Sequence, residues 1–361
     1  MARPSSAIRV LLIAPSMGIL GGQAVQAQRL MAQLGRVPDL EIGFLPIDAR
    51  LPPWLDGIRY VRTALRLLLY LPAMLLKVPR YDILHIFSAS YWSYLLWSVP
   101  PMLVGRLLRK KIILNYRSGE AEDHLANWRT TLPTLRLAHR IVSPSNYLVD
   151  VFARFGLKIL CISNILDTAP FPYRPRRRLL PVFLTNRILE PLYNVGCILR
   201  AFHIVQQRYP DASLTIAHDG ICRPQLEALA GELELRHTRF VGRVPHNEMP
   251  GLYDAADIYL TSPNLDCMPG SILECFAAGL PVVATKAGGI PYIVTHEQTG
   301  LLVDCDDAQA MARCALSLLE DEQLVARLTA NARRECDKYG GDAVREAWAA
   351  LYRELQIHPR A

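Results

Sequence analysis

Cysteine is missing from the first 160 residues of this 361-residue chain, and the eight cysteines that follow, Cys161 to Cys336, include no pair closer than Cys267 and Cys275. That spacing excludes a Cys-x-x-Cys redox pair and zinc-knuckle ligation, and it fits idle thiols in a reducing compartment. Clustered histidines are also missing, so no metal ligand set suggests itself. Acidic residues are scarce in one half only. Residues 1–180 carry 24 basic and 10 acidic side chains, net +14, whereas residues 181–361 carry 16 and 23, net −7. No repeat or low-complexity tract occurs, and with 51% hydrophobic and 20% charged residues the chain has the composition of packed domains. Its length predicts two of them.

Long apolar runs are nearly absent. The exception is 86–105, twenty residues without a charge, long enough for a membrane span. Pro100-Pro101 and four serines interrupt it, and Asp82-Ile83-Leu84-His85 before it reads as a buried strand, so a helix packed on a sheet is the expectation. Upstream, Arg59, Arg62, Arg66, Lys77 and Arg80 bracket the apolar runs 67–71 and 73–76, with Trp54, Trp92 and Trp97 nearby. This composition suits contact with an anionic membrane surface, and the competing reading is an ordinary amphipathic crossover helix. The N-terminal 27 residues mimic a signal peptide, but Pro15-Ser16 breaks the apolar run, and a strand, a Gly-rich turn and a helix explain it better.

Short β-type runs alternate with helical ones throughout, which calls for parallel sheets covered by helices on both faces. Strands are expected at 9–14, 41–45, 82–87, 111–115, 140–142 and 158–162, then at 182–185, 213–217, 238–241, 257–261, 281–285 and 300–303. Helices are expected at 23–34, 146–155 and 342–355, the last packing through Trp348, Leu351, Tyr352 and Leu355. The Pro- and Arg-rich run 170–178 between the two series reads as a linker. The domains expected are 1–168 and 181–338, joined by 169–180, and ligands of such folds bind at the carboxyl ends of the strands.

The most informative segment is Asn264-Leu265-Asp266-Cys267-Met268-Pro269-Gly270-Ser271-Ile272-Leu273-Glu274. It leaves a strand, turns at Pro-Gly and enters a short helix near Ser271, whose unpaired N–H groups suit a diphosphate. Asp266 and Glu274 flank that position, and carboxylates accept hydrogen bonds from sugar hydroxyls. Taken alone, Ser271-x-x-Glu274 reads rather as a capping box, and the surrounding sequence changes that balance.

With its surroundings, this segment resembles the retaining family 4 glycosyltransferases of GT-B fold and their Glu-x7-Glu motif, here Asp-x7-Glu. The resemblance extends to Phe240-Val241-Gly242-Arg243-Val244, Leu252-Tyr253-Asp254-Ala255-Ala256-Asp257, Gly279-Leu280-Pro281-Val282-Val283-Ala284, Gly288-Gly289-Ile290-Pro291 and Thr299-Gly300-Leu301-Leu302-Val303. It implies an α/β GT-B fold: two doubly wound, Rossmann-like domains facing across a cleft, with residues 339–361 crossing back to the first domain. It implies further that Asp266 contacts a donor sugar, Glu274 the nucleotide ribose, the amides from Pro269 to Ile272 (Gly270 and Ser271 between them) the diphosphate, and Arg243 the base. Arg187 in Thr185-Asn186-Arg187 matches an arginine that contacts donor phosphates. The lysine that usually follows it is replaced by Leu192-Tyr193-Asn194. Gly21 and Gly22, ending Gly18-Ile19-Leu20-Gly21-Gly22, match a Gly-Gly pair beside the diphosphate. Arg117 stands where a histidine is usual, and as a permanent cation it would stabilise the departing phosphate rather than act as a base. His85 reads as a satisfied core histidine, and Asn164 and Asp167 match an Asn-x-x-Asp before the linker.

The expectation is therefore a retaining, metal-independent transferase with no cofactor beyond its co-substrate, a nucleotide-diphosphate sugar. Its acceptor would be a glycan or lipid-linked glycan in cell-envelope or exopolysaccharide synthesis, and its place cytoplasmic, peripheral on the inner face of the plasma membrane. The alternative is a non-catalytic GT-B subunit with a decayed site. Nucleic acid is not expected as a partner, because the arginines at 174–178 have no aromatic platforms beyond Tyr173.

Overall fold

The structure is a computed structural model that describes residues 7–16, 22–48, 51 and 59–357, with only the backbone of Arg59. Contacts divide the chain into two units. One is Met1–Ile165 together with Gly341–Ala361, and the other is Leu166–Gly340.

In the first unit, β1 (Ile8–Ala14) leads to α1 (Gly22–Leu34) and β2 (Leu40–Pro46). Helix α2 (Arg59–Lys77), β3 (Ile83–Ser88), α3 (Val99–Leu107), β4 (Lys111–Tyr116), β5 (Arg140–Ser143) and β6 (Leu160–Cys161) follow. All neighbouring strands pair in parallel, in the order β2-β1-β3-β4-β5-β6. Strands buried on both faces are apolar nearly throughout, as parallel sheets require; β1 and β3 are examples. One face is covered by α1 through Ala27, Leu30 and Leu34. On the same core lies the terminal helix Gly341–Ile357, through Trp348, Leu351, Tyr352 and Leu355.

In the second unit, β7 (Val182–Thr185), α4 (Val195–Arg208), β8 (Ser213–Ile216) and β9 (Thr238–Phe240) precede α5 (Met249–Ala255) and β10 (Ile258–Thr261). Helix α6 (Gly270–Ala278), β11 (Val282–Thr285), β12 (Leu301–Val303) and α7 (Ala308–Glu320) complete the sheet and its cover. The strand order β12-β11-β10-β7-β8-β9 is again wholly parallel. It reverses direction between β7 and β10, which is the topological switch point where ligands of doubly wound sheets bind.

Three details bear on the reading of the sequence. The uncharged stretch 86–105 is the end of β3 followed by short helical turns and α3, and no helix among the described residues is long and apolar enough to cross a membrane. The run 170–178 is packed against the second unit rather than hanging free. Arg176 is 3% exposed and donates to the carbonyls of Tyr253 (2.7 Å), Ala256 (2.9 Å) and Ala278 (2.7 Å). Arg174 pairs with Asp257 at 2.6 Å. A buried guanidinium has five donors to satisfy, and the carbonyls ending α5 and α6 supply acceptors at the negative ends of their dipoles. Finally, Gly18 to Gly21, and Trp54, lie outside the described residues, whereas Gly22 is exposed at the first position of α1.

Candidate active site

The site of the second unit forms where β7 and β10 end side by side. Arg187 follows β7, and Asp266 lies in the loop between β10 and α6. Their side chains, 13% and 12% exposed, form an ion pair. The Arg187 guanidinium also donates to Ser271 Oγ at 3.4 Å and lies over the Tyr193 ring, 4.4 Å from its centroid. Burial works against the Arg187 charge, but Asp266 together with the Tyr259 and Tyr193 phenols more than offsets it, so the guanidinium pKa is raised. Its Nε is buried with no partner. The lysine missing from the sequence pattern is thus replaced by an aromatic face that holds Arg187 in place.

Asp266 is fixed from behind. Gly289 N donates to its carbonyl at 2.7 Å, and at Gly288, with φ +52°, a Cβ would lie 2.3 Å from that same oxygen. Only glycine permits both this left-handed backbone and this approach.

Helix α6 begins at Gly270 with Pro269 as its N-cap, and no side chain caps it. The capping box is not formed: Ser271 lies inside the helix, and Glu274 is in its second turn. Pro269 has no N–H to offer, and Ile272 N already bonds Pro269 O at 3.3 Å. This narrows the amides expected to bind a diphosphate to those of Gly270 and Ser271. No acidic residue occupies the first turn, so the positive end of the dipole is uncompensated. By contrast, α7 is capped by Asp307, whose carboxylate accepts from Ala310 N at 2.7 Å. The other end of α6 is closed by Arg174 N and Arg176 Nη1, both on Ala278 O.

Glu274, 7% exposed, is held by a tyrosine from the preceding helix α5. Tyr253 Oη donates to Glu274 Oε2 at 2.9 Å, and His246 Nε2 lies 3.8 Å from Oε1. Asn186 Nδ2 donates to Tyr253 Oη at 2.7 Å, while Tyr259 Oη donates to Asn186 Oδ1 at 2.6 Å and sits 3.0 Å from Ser271 Oγ. One chain of contacts therefore runs from Asp266 through Arg187, Ser271, Tyr259, Asn186 and Tyr253 to Glu274. Burial pushes both phenols upward, with the Glu274 charge adding to the effect at Tyr253, so both stay protonated donors. Arg243 is exposed on the loop after β9. Burial lowers the His218 imidazole, and the charges of Arg243 and Arg187 lower it further, which puts Arg243 within electrostatic reach of the end of β8.

In the first unit, Arg117 follows β4. It donates to Asn115 Oδ1 at 3.3 Å and to Asn164 Oδ1, and lies over Phe87 at 4.6 Å. Behind it, Asn115 Nδ2 meets His85 Nε2 at 3.0 Å, and His85 Nδ1 meets Tyr352 Oη of the terminal helix at 2.7 Å. His85 is fully buried and neutral, a satisfied core histidine. Asp167 Oδ1 accepts from Ala169 N at 3.2 Å.

Sequence reasoning gave no role to Tyr253, Asn186, Tyr259 or His246, although Tyr253 and Asn186 stand in quoted motifs, because their partners lie up to 73 residues away. Gly288 stood inside a quoted motif, but its purpose shows only when Asp266 is seen beneath it. Among the described residues, no three His, Cys, Asp or Glu side chains are grouped to hold a metal ion.

Two parallel, doubly wound units, the second with an arginine, an aspartate-bearing loop and an uncapped helix start at its switch point, make up a GT-B-type fold. Residues 180–335 match the model of the family "Glycosyl transferases group 1", so the second unit is similar to the members of that family. It is 27% identical over 306 residues to the D-inositol 3-phosphate glycosyltransferase of Thermobispora bispora, covering 76% of this chain and 71% of that one. With the enzyme of that name from Corynebacterium urealyticum it shares 33% identity over 180 residues, covering 47% of this chain and only 42% of the relative. Among solved structures it resembles Anabaena HepE in complex with UDP and glucose, with a TM-score of 0.77, 17% identity and coverage of 96% of this chain and 100% of that one. It also resembles the sucrose-phosphate synthase of Thermosynechococcus elongatus, with a TM-score of 0.75, 19% identity and coverage of 97% and 99%.

Proposed function

We propose that the chain is a retaining transferase that takes a sugar from a nucleoside-diphosphate sugar held by the second unit. The acceptor is a glycan or lipid-linked glycan presented at an anionic membrane surface, in cell-envelope or exopolysaccharide synthesis. The observation that carries the donor half is Arg187, buried and aimed at the uncapped start of α6. There the diphosphate meets the Gly270 and Ser271 amides and the guanidinium, while Glu274 takes the ribose, Asp266 the sugar and Arg243 the base. The acceptor half is supported by the basic first unit, and the relatives named above act on inositol phosphate by their names.

In the reaction, the bond from the anomeric carbon to the phosphate oxygen breaks and its electron pair leaves with the diphosphate, while an acceptor hydroxyl oxygen bonds that carbon on the same face. Arg187 and the helix end stabilise that charge. Retention is supported by the chemistry of the residues. Asp266 is committed to an arginine and Arg117 is a permanent cation, so neither suits a general base, and the acceptor's proton goes to the departing phosphate. Arg117 is assigned electrostatic stabilisation of that charge.

A thermal-shift screen of UDP-, GDP- and ADP-sugars tests this reading, since a ligand at 100 times its Kd adds about 2.7 kcal/mol. At least one donor is expected to stabilise the wild type, and Glu274→Ala should remove both the shift and the transfer. No shift and no donor turnover with any of them would overturn it. Donor turnover in the wild type that disappears in Glu274→Ala would also rule out a non-catalytic subunit, which the intact Arg187–Asp266 pair already disfavours.

A further inference from the structure

Helix α2 carries apolar residues on the face turned away from the protein as well as on the inner one. On the inner face, Tyr70 and Met74 are each 2% exposed, and Tyr70 Oη donates to Trp97 O at 3.0 Å with the two rings edge to face at 5.4 Å. On the outer face, Val61, Leu68, Leu69, Leu75 and Leu76 are exposed, Leu68 and Leu76 by two thirds. Ala64 and Pro72 continue this stripe, and it contains no charged residue. A helix facing water has its polar side outward, so this one is inverted over about 28 Å of length, at 1.5 Å per residue. Leu103 and Leu107 of α3 are exposed as well. Of the seventeen exposed large hydrophobic side chains among the described residues, ten lie between Tyr60 and Leu108.

The charge around this surface selects its occupant. Residues 59–111 contain nine basic side chains and one acidic, and that one, Asp82, is paired with Arg9 at 2.9 Å. A second copy would bring the same positive field against itself, whereas an anionic bilayer complements it. We propose that the outer face of α2, with Leu103 and Leu107, docks into the headgroup region of an anionic membrane with the helix lying in its plane. This inference rests on the reading of a membrane-presented acceptor and adds the element that makes the contact. Exposed leucines contribute little to folding, so their exchange for serine leaves a folded protein in which to test it.

The test is flotation of the full chain with phosphatidylglycerol-containing vesicles and with pure phosphatidylcholine vesicles, at low and high salt, for wild type and L68S/L75S/L76S. The wild type is expected on the anionic vesicles, with weaker capture at high salt. The triple variant should bind at least about tenfold more weakly, given the apolar area that three leucines bury, and should keep its nucleotide-sugar thermal shift. Equal capture of variant and wild type overturns the role of α2 while leaving the membrane reading in place. A wild type that binds no vesicle ends both. A wild-type dimer that the variant converts to monomer, with no vesicle capture, assigns the face to a second copy and overturns the proposal.

Discussion

Replacing Arg187 with methionine tests the centre of the site most directly. The substitution keeps much of the stem that packs near Tyr193 and deletes the cation, leaving Asp266 with its side chain 12% exposed and unpaired. Removing one partner of a buried ion pair costs about 3–5 kcal/mol. The residual exposure of Asp266 puts the expected loss near the lower end, about 3 kcal/mol. For a unit of this size that is a fall in Tm of about 6–12 °C. Asp266→Leu alone strands the arginine in the same way, but R187M/D266L removes both charges. The double variant should therefore be more stable than the sum of the single losses by about 0.5–3 kcal/mol, the range seen for directly coupled residues. Urea unfolding of the four proteins closes the cycle. Under the proposed mechanism, turnover at saturating donor should fall about 10²–10³-fold in Arg187→Met. Arg187→Lys should recover only part of it, because a point charge cannot serve Asp266 and a phosphate with one planar fork. An Arg187→Met protein within about 0.5 kcal/mol of wild type and with unchanged turnover would refute the reasoning, since surface arginines behave that way.

Two further outcomes follow from the same contacts. Gly288→Ala should destabilise the second unit by more than the roughly 1–2 kcal/mol of a left-handed alanine, because its Cβ meets the Asp266 carbonyl at 2.3 Å. Turnover should drop more than donor affinity as the Asp266 loop moves, and an unchanged Tm and kcat would contradict this. For pH, burial and then the Arg117 charge hold His85 down to about 3, and burial holds His124 down to about 4 against the pull of Asp123, from an ordinary 6.5. Both rings are neutral when folded and protonate on unfolding below pH 6.5. Their contribution is complete above that value and is lost as pH falls, by about 1.4 kcal/mol per pH unit for each ring. Urea midpoints between pH 7.5 and 5 check this, and His85→Gln should remove about one proton from the slope.

The fold was legible in the sequence because each parallel strand is a short apolar run bounded by turns. All twelve strands fall within two residues of the expected spans. The places of Arg187, Asp266 and Glu274, after β7, in the loop after β10 and in α6, were legible because each sits within a recognisable motif. The capping box misled because Ser271-x-x-Glu274 satisfies a local rule that the chain does not use. With Tyr253 available in the fold, Glu274 turns to it, and Pro269 starts the helix one residue earlier. The packing of the run 170–178 was hidden for a related reason. Proline and arginine look like a tether until the carbonyls that Arg176 satisfies are brought beside it.

The sequence by itself determined the two parallel sheets, the division of charge between the halves and the strand-end position of the principal side chains, because these depend on local periodicity and on counting. Only the tertiary structure decided that Tyr193 replaces a lysine beneath Arg187, that Glu274 answers to Tyr253, that α6 begins uncapped, and that α2 shows its leucines to the outside. Each of these depends on which residues, far apart in the chain, compete for one hydrogen bond or one buried face, and that competition is settled only when the strands have been laid side by side.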